Sequence, residues 1–176
     1  ATPLLANLTW KIYQIIQDKG FLTQSVEPLR RYLQAWFSDH DVDVDGAPEW
    51  EHPLQFGFAD HLVYSRLLAE AQGAQIAYTE SPALCAFLYS ELKSMLSICK
   101  ELDMPEPTLH GRGAVKQVRF SELAEMLKLT LRTFWNSEKG MFLNRDRDVH
   151  TQTAGCWLGE LVGNGILELG HSFPSA

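Results

Sequence analysis

Apolar residues recur at helical intervals along most of this chain, and that period limits the folds open to it. Leu5, Leu8, Ile12, Ile15 and Ile16 share one face of a first helix over residues 4–18, with Gly20 just past its end. Ser25 is a good N-cap for a second helix that carries Glu27 and Pro28 in its first turn. The stripe of this helix is Leu29, Tyr32, Leu33, Trp36 and Phe37. That is the i, i+3, i+4, i+7, i+8 pattern of a core-facing helix. A third helix is predicted over 54–72, ended by Gly73. A fourth starts at Ser81-Pro82, an N-cap followed by proline at the first helical position. It runs to residue 102 with Leu84, Phe87, Leu88, Leu92, Met95, Leu96 and Cys99 inward. A fifth is predicted over 121–136 and a sixth over 151–162. Extended structure is reduced to Met141-Phe142-Leu143 and to Ile166-Leu167-Glu168-Leu169, which follows an Asn164-Gly165 turn. The expectation is an all-α fold: a helical bundle with a C-terminal helical, winged-helix-like portion and at most one small β ribbon.

At 176 residues the chain fits one domain or two small ones. Pro105, Pro107 and Gly111-Arg112-Gly113 break the periodicity over 105–117. They separate an N-terminal bundle (1–104) from a C-terminal portion (105–176), or bend one continuous domain there. No run of 18 apolar residues is present, so no membrane-spanning helix is expected. The opening Ala1-Thr2-Pro3-Leu4 lacks the basic stretch of a signal peptide. Three cysteines, an odd number, point to buried thiols in a cytoplasmic protein: Cys85, Cys99 and Cys156. Cys85 and Cys99 sit on one predicted helix about 21 Å apart by helical rise, too far to bridge.

Charge is unevenly placed. The whole chain carries −7 with a pI near 5.3. Residues 1–108 carry −8, whereas residues 109–150 carry +3. The basic window consists of Arg112, Lys116, Arg119, Lys128, Arg132, Lys139, Arg145 and Arg147 against five acids. A basic patch on an acidic protein is a place for an anionic partner to dock.

Within that window, residues 122–134 resemble a helix-turn-helix: Leu123, Ala124 and Leu127, then Leu129, an N-cap at Thr130, and Phe134. Lys128 stands where glycine is usual, and the second helix is barely two turns long. One uninterrupted helix, with Leu123, Met126, Leu127, Thr130, Leu131 and Phe134 on its stripe, accounts for the same residues. The run from 151 to 169, a helix, Asn-Gly, then a strand, resembles the end of winged-helix domains. Its helix carries no Lys or Arg, which suits a structural or protein-binding wing better than DNA recognition. Gly155, Gly159 and Gly163 would give that helix a smooth face for close packing against another helix.

The segment Asp39-His-Asp-Val-Asp-Val-Asp-Gly46 is the other distinctive motif. Counted from Asp41, oxygen ligands fall at positions 1, 3 and 5 (Asp41, Asp43, Asp45), with Gly46 at position 6. This is half of an EF-hand calcium loop, but position 12 is His52 rather than glutamate. His52 and His61 could join the carboxylates around a transition metal. The stretch from His52 to Leu62 resembles an early histidine-bearing helix of HD-type phosphohydrolases. Those enzymes need a His-Asp doublet, and Asp60-His61 is the reverse order. No Cys-x-x-Cys, phosphate-binding loop, dinucleotide fingerprint or nucleophile elbow is present.

These residues point to a non-enzymatic helical binding or regulatory module that acts through protein–protein contacts. Its contact residues would be Arg112, Lys116, Arg119, Lys128, Arg132, Arg145 and Arg147, together with the glycine face. A protein partner is expected, a homodimer is compatible, and neither a cofactor nor a catalytic residue is expected. The alternatives are a nucleic-acid-binding protein using the 112–147 window, and a metal-binding protein or hydrolase using loop 39–52 and His61.

Overall fold

The protein is described by a computed structural model that covers residues 2–41, 43, 45–52, 55, 78–110, 117–148 and 152–155. Four helices are present among the described residues. They are α1 (Leu5–Ile16), α2 (Lys19–Asp39), α3 (Pro82–Glu101) and α4 (Phe120–Thr133). Gln17, in the left-handed region at φ 55°, ends α1, and Asp18 immediately caps α2 through the N–H groups of Gly20 and Phe21. Gly20 therefore lies inside the first turn of α2 rather than beyond α1. The second helix begins seven residues earlier than Ser25 suggested, because Asp18 supplies the cap first.

α3 is the central element and packs against α1, α2 and α4. The apolar core draws on both sides of the 105–117 break. Leu22, Leu29, Leu33 and Trp36 of α2 meet Leu84, Leu88, Leu92 and Met95 of α3 and Phe120, Leu127 and Leu131 of α4. The stripes expected for the second and fourth helices hold. α4 is one continuous helix from Phe120 to Thr133, so the segment resembling a helix-turn-helix has no turn in it.

The all-α expectation is overturned. A four-stranded antiparallel sheet is built around β5 (Met141–Asp146), and a separate two-stranded ribbon pairs β2 (Thr108–Leu109) with β3 (Val118–Arg119). Both edges of β5 are used. On one edge, β4 (Trp135–Asn136) pairs with its start and β1 (Thr79–Glu80) with its end. The N–H groups of Leu143 and Arg147 donate to the carbonyls of Phe134 and Tyr78 at 2.9 Å each. Residues four apart in a strand face the same way. On the other edge lies β6 (Gln152–Gly155), with Leu143 opposite Gly155, Arg145 opposite Gln152, and an extra β6 residue bulged between them. The sixth helix is therefore corrected: residues 152–155 are a strand. Glycine weakens a helix by roughly 1 kcal/mol, whereas the open edge of β5 offers this segment ladder hydrogen bonds. Gly155 belongs to that strand, so the winged-helix-like arrangement is corrected with it. Gly159, Gly163 and residues 164–169 lie outside the described residues, as does the helix predicted over 54–72 apart from Gln55.

α1 is placed by polar contacts. Its N-cap, Leu4, offers no side-chain acceptor. The first-turn N–H groups of Ala6 and Asn7 donate instead to the Glu91 carboxylate of α3, at 2.7 and 2.8 Å. Asn7 Nδ2 reaches Ser90 Oγ at 3.1 Å, and Tyr13 OH donates to Glu101 Oε1 at 2.7 Å. Ala6 and Tyr13 are buried by this docking. Leu5, Leu8, Ile12, Ile15 and Ile16 are left exposed, Ile15 at 82%. The apolar stripe of the first helix faces solvent because the groups needing partners lie on the other side.

Candidate functional site: the acidic loop and two arginines

His40 follows the end of α2, and Glu49 reaches the sheet. The loop is closed at its base by Glu49 N–H donating to His40 O at 2.6 Å. It is anchored by an isolated antiparallel bridge between Glu49 and Glu80 of β1. Trp50 is fully buried and meets Trp36 edge-on, ring centroids 5.7 Å apart, so the loop is nailed into the core at its far end. Gly46 sits at φ +88°, where glycine is at ease. A Cβ there would lie 3.3 Å from Met126 Cε of α4. Turn geometry and tight packing both call for glycine at this position.

Arg145 is the hub of the site. Its Nε bonds the buried Glu80 carboxylate, its neighbour across the β1–β5 ladder. Nη2 donates to Asp45 Oδ2 at 2.8 Å and Nη1 to Thr133 Oγ1 at 2.9 Å. The guanidinium lies 4.9 Å from the centroid of the Phe134 ring. Arg147 sits over the Tyr78 ring at 4.5 Å, pairs with Asp148 at 3.0 Å and approaches Glu49 at 3.9 Å. A rigid guanidinium fork with an aromatic plane beneath it suits arginine rather than lysine.

The loop itself gathers three carboxylates. One oxygen each from Asp41, Asp43 and Asp45 lies within 4.8 Å of the others. Asp41 is only 6% exposed. Its Oδ2 accepts from Gly46 N–H at 3.2 Å, while Oδ1 has no hydrogen-bond partner among the described residues. Burial, reinforced by the charges of Asp45 and Asp43, pushes the Asp41 carboxyl up to about 6. The site thus holds five carboxylates (Asp41, Asp43, Asp45, Glu49, Glu80) against the two guanidiniums. The three that converge, Asp41, Asp43 and Asp45, form an all-oxygen donor set that suits a hard cation. Cys85 is buried nearby, and burial together with the acids raises its thiol well above the ordinary value, so it offers little nucleophile at neutral pH.

The residues singled out in the sequence separate into groups. Asp41, Asp43 and Asp45 do converge; His52 is exposed and stands outside that set, and His61 lies outside the described residues. Arg145 and Arg147 are bound to the acidic loop and to β1. Arg119 is held by Glu122 at 2.7 Å at the start of α4, and Lys128 by Glu125 at 3.5 Å. Arg132 is exposed, and Arg112 and Lys116 lie outside the described residues. Sequence reasoning reached Glu49 only as an irregular substitute ligand of the loop, and missed Glu80 and Thr133 as parts of this site. An acidic pair flanking a basic strand was the available signal, but it means little without the strand register. No protein-family model matches the chain, and no curated protein or solved structure matches it either.

Proposed function

We propose that the chain is a non-enzymatic binding module that engages a protein partner through the outer face of α1, helix against helix. The observation that carries this reading is the set of five exposed apolar residues on that helix. Leu5, Leu8, Ile12 and Ile15 are spaced three, four and three residues apart. That is the spacing of a two-helix seam. Isolated exposed apolar residues are ordinary, but a continuous row on a docked helix is a contact surface. Lys11 is the single charged residue of α1, so two such faces meet without repulsion. The occupant is a helix with its own apolar seam, and the one sure to be present wherever this protein is concentrated is α1 of a second copy.

Sedimentation equilibrium of the full chain tests this. The wild type is expected to associate reversibly, and Ile12→Glu with Ile15→Glu to stay monomeric at an unchanged Tm. A wild type that remains monomeric at the highest concentration reached, or a double variant that still associates, overturns the proposal.

A further inference from the structure

We infer that the loop from Asp41 to Gly46 is a binding site for a hard divalent cation of the calcium type. Two independent observations meet there. The first is the convergence of three carboxylate oxygens within 4.8 Å, supplied by alternate residues of one tight loop. The second is Asp41 itself, 6% exposed, with Oδ1 lacking any hydrogen-bond partner among the described residues. A buried carboxylate oxygen without a donor is costly. Asp41 contributes one oxygen to the group it forms with Asp43 and Asp45, and its Oδ2 is fixed by the N–H of Gly46. The loop therefore orients one oxygen of a buried carboxylate and leaves the other for a ligand.

The donor chemistry selects the ion. Three carboxylates and no histidine or cysteine in the convergent set favour an oxygen-seeking cation over zinc or copper. Calcium accepts irregular oxygen cages and completes them with carbonyls and water, whereas magnesium demands near-octahedral geometry. Two features keep the affinity modest. Asp45 shares its charge with Arg145 at 2.8 Å, and position 12 is His52, so the bidentate glutamate of a full loop is missing. The dissociation constant belongs on the order of 10⁻⁴ to 10⁻³ M, the weak end of calcium loops.

Terbium emission sensitised by tryptophan, followed by competition with CaCl₂ and MgCl₂, tests the site in the full chain. Thermal melts in EDTA and in CaCl₂ accompany it. Asp43→Asn is the first variant, because Asp43 is exposed and substitutions at the surface usually change stability little. Asp41→Asn is the second. Expected are terbium emission displaced by calcium well before magnesium, a Tm that rises with CaCl₂, and loss of both in either variant. Emission that persists in the two variants, or a wild-type Tm indifferent to calcium with no terbium signal, overturns the site. Neither outcome depends on the association state of α1.

Discussion

Arg145 shows how much of this structure rests on single charges. It is the main cation facing Glu80, whose carboxylate is fully buried, and it also holds Asp45. Removing one partner of a buried pair leaves an uncompensated charge and costs about 3–5 kcal/mol. Arg145→Met is expected to lose that much in urea denaturation. Glu80→Met combined with Arg145→Met should recover a large part of it, giving a favourable coupling in the double-mutant cycle. Asp41 behaves oppositely. Its folded carboxyl titrates near 6 against an ordinary 3.8, so the folded state holds the proton more tightly. The cost of burying it is absent below 3.8, grows as pH rises through the interval, and is complete above 6. In EDTA, Asp41→Asn should therefore melt a few degrees above wild type at neutral pH, with the margin vanishing near pH 3.8. The aspartates of the loop and the two arginines were visible in the sequence as opposite charges. Their pairing was not, because it depends on Glu80 standing across from Arg145 in a ladder that no local pattern announces.

Among elements, helices were more legible than strands: residues 141–143 read as extended and do begin β5, whereas residues 152–155 read as helix and form β6. α2 and α3 bury the stripes their spacing predicts, and α4 buries Leu123, Leu127, Leu131 and Phe134 of its own while Met126 stays exposed. β5 hides polar side chains, Asn144 and Arg145, so it shows no apolar alternation to read. β1 and β4 are two residues each and exist only because β5 lends them an edge. α1 is the informative exception. Its period was right, but the face it buries is chosen by hydrogen bonds to α3. Glu91 acts as an N-cap supplied from another helix, accepting from Ala6 and Asn7. Burial raises its carboxyl, while the backbone N–H groups it receives pull the other way. Glu91→Leu strands those N–H groups and should cost about 1–3 kcal/mol. Hydrogen exchange is the appropriate measurement, with amides of residues 6–9 expected to lose protection while those of α3 keep theirs. Glu91→Gln, which retains an acceptor, should fall between the two.

At the scale of the whole molecule, folding consumes half of the basic window that dominates the sequence, four of its eight cations. The basic window and the acidic first half meet at the loop, where Arg145 and Arg147 face Asp45, Glu49 and Glu80. Arg119 and Lys128 pair within α4 and its cap. What remains outside is a chain of net charge −7, with Arg132 of α4 and Lys139 exposed among the described residues. Phosphate binding needs several free cations on one face, each adding to the salt dependence of affinity. A labelled random duplex titrated across a salt series is therefore expected to show no saturable anisotropy change, even at low salt. Arg119→Ala, Lys128→Ala and Arg132→Ala together should leave that baseline where it is. Micromolar binding with a slope of several charges, abolished in the triple variant, would instead mean that these exposed ion pairs open readily to phosphate. Surface pairs are weak enough for that to be a real test, each worth about 0–1 kcal/mol. The outcome decides whether the basic window serves the interior of this molecule or its surroundings.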